Sequence, residues 1–183
     1  MNQLFRTANK LFRTAIRPLY QQRRGIYTRI DDDIEKEISS KMSPTHQSSH
    51  FVYGTLLKEK RFMTKAETYL NKSQKDLKFC FTSGTDVVGH PGCLHGGIIA
   101  LLFDHAMFLG VQYLINSSIH PYFTGRLEID YRSIVRTNKS YETIISIEST
   151  IGRKVWLRGE LVGVKDREIV AKSRALFVRP KEE

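Results

Sequence analysis

Residues 96–115 read GGIIALLFDHAMFLGVQYLI, and no other stretch limits the possible folds as much. Its apolar side chains go nearly all the way round a helix instead of forming one stripe, so the helix must be enclosed. Its length is about that of a bilayer span. His95 just before it, and Asp104, His105 and Gln112 within it, make a lipid environment costly. The expectation is a helix enclosed by protein, with no transmembrane segment.

What encloses it follows from the next sixty residues. From Thr124 onward the apolar period changes from that of a helix to that of a strand. TGRLEIDYRSIV, SYETIISIEST, KVWLRGELVGV and EIVAKSRALFVRP are predicted strands. Short turns separate them at residues 136–140, 151–153 and 165–167. Strands so closely spaced suggest an antiparallel meander. Upstream, residues 77–84 (LKFCFTSG) alternate and are predicted as a strand, and residues 51–57 (FVYGTLL) as strand-like. The charged run at 58–75 is expected to be an excursion or a short helix, and the glycine-rich run at 84–92 a loop. Asp31, Asp32 and Asp33 suit the first turn of a short helix, followed by a polar loop at 43–50. Strands, one buried helix, then four strands describe an α+β domain whose curled antiparallel sheet wraps round the helix.

The chain has 183 residues and a formal charge of +10. That charge is concentrated. Residues 1–25 contain Arg6, Lys10, Arg13, Arg17, Arg23 and Arg24 and no acid, and without them the charge falls to +4. A nucleic-acid partner therefore loses its main support. The same segment repeats LFRTA at a spacing of seven residues, which puts Leu4, Ala8, Leu11, Ala15 and Leu19 on one helical face. An acid-free, arginine-rich amphipathic helix at the N-terminus is the signature of a mitochondrial transit peptide; the alternative is a membrane-surface helix or basic arm. The expected division is a transit peptide at 1–26, a leading helix-and-strand region at 27–76 and a core at 77–180, with the mature protein in the mitochondrial matrix. Cys80 and Cys93 are too few for a disulfide framework, and neither lies in a CxxC or Cys/His cluster. No metal site and no cofactor are expected.

The helix also carries the chemistry. Gly96 and Gly97 open it, where backbone N–H groups lack intrahelical partners. Such donors, helped by the helix dipole, can hold a developing oxyanion, and glycine lets a bulky substrate approach closely. Asp104, among Leu101, Leu102, Phe103 and Met107, is a partly desolvated carboxylate and hence a good proton acceptor or nucleophile. His95 is expected to orient the turn. His105 points about 100° away from Asp104 on the helix and is expected in the core or an interface.

The segment PGCLHGGIIALLFDHA at 91–106 resembles the acyl-CoA thioesterases of the hotdog fold, in the branch with an HGG motif and a carboxylate nine residues after the histidine. TGRLEIDYRSIV and IGRKVWLRGEL continue the resemblance, which extends over about residues 86–179. It implies that Asp104 is the catalytic carboxylate, that Gly97 polarises the thioester carbonyl and that Thr124 helps to place water. It also implies coenzyme A contacts at Arg132 on that strand and at Arg153 and Lys154 in the next turn; Asp130 and Arg158 are further candidates, and the alternative for the basic residues is a solvated strand face. Trp156 shares a strand face with Lys154 and Arg158 and is a candidate to stack on adenine or to lie in the core or an interface. Ser133 stands where many relatives have proline, and Phe103 and His105 where smaller residues are usual.

Spacing adds a constraint. Gly97 and Asp104 are seven residues apart, about 10 Å along a helix, whereas donor and base should each come within about 3–4 Å of the reacting centre. Two antiparallel helices across a dimer axis would meet both demands, so a homodimer or dimer of dimers is expected. Two other functions compete. An enoyl-CoA hydratase of the same fold needs an imidazole about five residues from the carboxylate, and Leu109 stands there. A non-catalytic hotdog subunit that binds acyl groups or stabilises a mitochondrial assembly would need no set of Gly96, Gly97, Asp104 and Thr124.

Overall fold

The structure, a computed structural model, describes residues 27–32, 51–56, 62–73, 75–115 and 121–181. The expected transit helix, the bulk of the helix opened by Asp31 and the polar loop at 43–50 lie outside the described residues. The elements are β1 (Thr28–Arg29), β2 (Met63–Asn71), β3 (Asp76–Ser83), β4 (Val88–His90), β5 (Cys93–Leu94), α1 (Gly96–Leu114), β6 (Phe123–Tyr131), β7 (Ser140–Ile151), β8 (Lys154–Gly163) and β9 (Ile169–Val178).

Among the described residues, seven strands form one antiparallel sheet in the order β1-β2-β3-β7-β8-β9-β6, while β4 and β5 make a small hairpin. The helix packs against β3, β7, β8, β9 and β6. It is long and apolar enough to cross a membrane, with mean hydropathy 1.5. One side of it meets the sheet, where Leu102, Phe103, Ala106, Met107 and Val111 are each at most 2% exposed in one cluster with Phe79, Ile145, Leu157, Ala175 and Phe177. Phe108 on the other side is exposed, so the all-round enclosure expected from the sequence is only half met in the single chain. Two glycines let the helix seat closely. A Cβ on Gly110 would lie 2.9 Å from Ile145 Cγ2, and one on Gly159 would lie 2.9 Å from Met107 Cε and 2.8 Å from Ser173 Oγ.

Three readings change. The meander holds for β7, β8 and β9, but β6 pairs with β9 rather than β7. The connection from β6 therefore crosses the sheet. It passes the β4–β5 hairpin, where Leu94 N donates to Val135 O and Thr137 N to Gly92 O. Residues 63–71, expected as helix or excursion, are a strand: Thr68 and Leu70 are buried while Lys65 is exposed and Glu67 and Tyr69 are half-buried, an alternation that the charges obscure. Residues 51–56, expected as a strand, form one wide π-type helical turn that buries Val52 and Leu56, four residues apart on one side.

Candidate active site

The helix N-terminus is capped by its own motif. His95 is the N-cap in extended conformation, and its Nδ1 accepts from Gly97 N at 2.9 Å. An imidazole thereby satisfies one of the orphan donors of the first turn. A Cβ on Gly97 would lie 3.0 Å from that nitrogen, so glycine is what lets the cap close. The Gly97 amide is thus occupied by the imidazole. The other end of the same peptide is held too: the Tyr131 hydroxyl donates to Gly96 O at 2.9 Å.

Two turns along, half-buried Asp104 meets Thr124, whose hydroxyl donates to Asp104 Oδ1 at 2.7 Å. The contact depends on an irregularity in β6. Leu127 and Ile129 pack on the core, so plain alternation would send Thr124 to the opposite face. The register with β9 slips between Thr124 and Arg126, so Gly125 is an extra residue, and such a bulge re-aims the preceding side chain. Thr124 consequently reaches the helix.

The structure therefore joins the predicted residues in two groups: His95, Gly96 and Gly97 at the start of α1, and Asp104 with Thr124 further along. Lys154 pairs with Val178, which also pairs with Phe123, so the β7–β8 turn lies at the Thr124 end of β6. In that turn Lys154 is exposed, and Arg153 donates to Arg179 O at 2.7 Å. Arg132 forms a 3.2 Å ion pair with Asp130 at the other end of β6. Asp130 and Arg158 occupy positions that alternate with the helix-facing ones, so the structure does not bring them to Asp104 within one chain. Arg174 lies 4.0 Å over the Trp156 ring and covers one face of it. His105 is buried, with its edge on Phe79 at 5.4 Å between ring centroids.

The residue that the sequence did not disclose is Tyr131. Its partner is thirty-five positions away, and no local pattern links a tyrosine at a strand end to a helix N-terminus. A separate cavity of about 400 Å³ lies over β2, β3 and β7, lined by Tyr27, Glu67, Lys78, Cys80 and Glu142 among others. It includes no residue of α1. Burial pushes the Cys80 thiol there up to about 12, so it is an inert thiol.

One helix laid on a long antiparallel sheet, with a capped glycine turn and a carboxylate on that helix, is the hotdog fold. Zebrafish thioesterase superfamily member 2 has this fold, with a TM-score of 0.61 and 14% identity over 83% of this chain and 98% of that one. The Escherichia coli PaaI protein matches with a TM-score of 0.51 and 17% identity, over 59% of this chain and 75% of its own. In sequence the chain is similar to the acyl-coenzyme A thioesterase THEM4 of Xenopus laevis, 26% identical over 111 residues, and to that of Rattus norvegicus, 23% identical over 146 residues. It is also 28% identical over 115 residues to an uncharacterized protein of Schizosaccharomyces pombe. The matches cover 61%, 72% and 61% of this chain but only 48%, 61% and 65% of those relatives, in that order. No family model matches the chain.

Proposed function

We propose that this chain hydrolyses acyl-CoA thioesters to a carboxylic acid and free coenzyme A. The observation that carries the reading is the Thr124–Asp104 hydrogen bond at 2.7 Å, on the same helix that a glycine turn opens. Thr124 uses its proton on Oδ1, which leaves Asp104 Oδ2 to accept a proton from water and the threonine oxygen to accept a hydrogen bond from that water. The water oxygen attacks the thioester carbon as Asp104 takes its proton. The carbonyl oxygen gains charge and is held by backbone N–H at a helix start. The C–S bond then breaks, and the coenzyme A thiolate leaves and is protonated. Similarity to proteins named acyl-coenzyme A thioesterases supports the same reading.

The site is proposed to form between two copies of the chain, with Gly97 of one and Asp104 of the other. β6 is an end strand of the sheet, with no strand on its far side among the described residues. Such an edge accepts another strand. Phe108 on α1 and Phe123 and Tyr131 on β6 are exposed apolar residues on the two elements that would meet. Arg153 and Lys154 are proposed to meet the coenzyme A phosphates, because a guanidinium donates in parallel to phosphate oxygens. Residues 1–26 are proposed as a mitochondrial transit peptide on their acid-free, arginine-rich composition.

Release of free thiol from short-, medium- and long-chain acyl-CoA by the purified protein tests the activity. No release from any of them would leave the non-catalytic hotdog subunit as the better account. A mature N-terminus at Met1 in the protein's own cells would sink the transit peptide.

A further inference from the structure

We propose that Tyr131 is a positioning residue that fixes and polarises the Gly96–Gly97 peptide, the unit whose N–H meets the substrate oxygen. The proposal rests on the thioesterase reading. Its ground is covalent geometry. Gly96 C=O and Gly97 N–H are two ends of one planar group, so a bond to the oxygen sets the direction of the N–H. The Tyr131 hydroxyl holds that oxygen at 2.9 Å. A carbonyl has a second lone pair, so this bond coexists with the helical one. Hydrogen bonds at the two ends of a peptide polarise one another, and a donor on the oxygen makes the N–H a stronger donor.

The surroundings make the contact specific. An added Cβ on Gly96 would lie 3.7 Å from two ring carbons and from the hydroxyl oxygen of Tyr131, so the tyrosine lies directly beside the turn. The backbone just beyond the tyrosine is anchored: Arg132 N and Ser133 N both donate to Val170 O, at 2.9 and 3.1 Å. Burial pushes the Tyr131 phenol up from its ordinary value, which keeps its proton in place to donate. Tyr131 is nevertheless 51% exposed, so the fold depends little on its hydroxyl. His95 holds the hydrogen side of the same peptide. When substrate takes over the N–H, Tyr131 still holds the plane.

Tyr131→Phe removes the hydroxyl and keeps the ring. Single-turnover hydrolysis of acyl-CoA is expected to slow by roughly five- to tenfold, about one net hydrogen bond, with substrate affinity unchanged. The ¹H–¹⁵N resonance of Gly97 and the ¹³C resonance of the Gly96 carbonyl are expected to shift in the free protein. An unchanged rate would overturn the proposal, as would a raised KM with the rate preserved, which makes Tyr131 a substrate contact. Wild type inactive on every acyl-CoA would sink the thioesterase reading instead. The two resonances then decide the positioning claim: unmoved, they overturn it, and shifted, they uphold the clamp.

Discussion

The first turn of α1 and the turn around Asp104 belong to one helix, yet they are built from different materials. At Gly96–Gly97 the proposed working group is backbone, and its neighbours His95 and Tyr131 hold it by both ends of one peptide. At Asp104 the proposed working group is a side chain, with Thr124 on one carboxylate oxygen. Backbone chemistry needs the absence of a Cβ and a fixed peptide plane. Side-chain chemistry needs one oxygen engaged and the other open. Each turn meets its own requirement, and about 10 Å of helix separates them. On the two-copy proposal they are halves of different sites, each completed by a second copy of the chain.

Asp104→Asn breaks the second half. Hydrolysis is expected to fall by about 10²- to 10⁴-fold, the usual range for loss of a general base, with the circular dichroism spectrum unchanged. Gly97→Pro removes the N–H of the first half and is expected to be as inactive. Mixed under conditions that exchange subunits, the two inactive proteins should recover on the order of a quarter of wild-type activity, because half the dimers are mixed and each keeps one intact site. If subunit exchange is demonstrated, both variants are folded and activity stays absent, each site lies within one chain and the comparison collapses.

Thr124→Val probes the same half more gently. It deletes a 2.7 Å hydrogen bond to a carboxylate, and kcat is expected to drop by roughly 10- to 100-fold. Thr124→Ser should recover most of that. Equal losses in both variants would mean that the methyl group, not the hydroxyl, matters.

The double change Arg153→Ala with Lys154→Ala concerns neither half. A several-fold rise in KM with little change in kcat is expected, since phosphate contacts far from the carbonyl bind substrate and transition state alike. An unchanged KM would assign both residues to the solvated surface.

His95→Ala should separate the halves by kind of effect. Loss of an N-cap costs about 1 kcal/mol, which for a chain of this size lowers Tm by about 2–4 °C. The rate should change by no more than about threefold. A loss as deep as that of Asp104→Asn would put the imidazole in the chemistry.

The sequence exposed the helix-borne half of this arrangement better than the strand-borne half. The glycines, His95 and Asp104 share one helix, where spacing translates directly into geometry. Thr124 and Tyr131 act from β6, and their placement depends on features without a local signature. Gly125 inserts a residue that turns Thr124 to the helix face, whereas strict alternation would have turned it away. The pairing of β6 with β9 brings the strand to an edge, while chain order suggested β7 as its neighbour. In the same way β2 was hidden because Lys65 and Glu67 form an ion pair on its outer side, and charge density there masked the inward alternation.

The close seating of α1 also bears on how substrate range can change over evolutionary time. Gly110 and Gly159 meet Ile145, Leu157, Met107 and Ser173 where helix and sheet are nearest. A tail of methylenes cannot thread through that contact. Neither position can be trimmed further, since no residue is smaller than glycine. For a chain that hydrolyses acyl-CoA as proposed, selection for longer or shorter acyl chains would have to act on other walls. The underside of the helix is a fixed floor, and on the proposed two-copy site variation in reach falls to the sheet edge and to the surfaces between the copies.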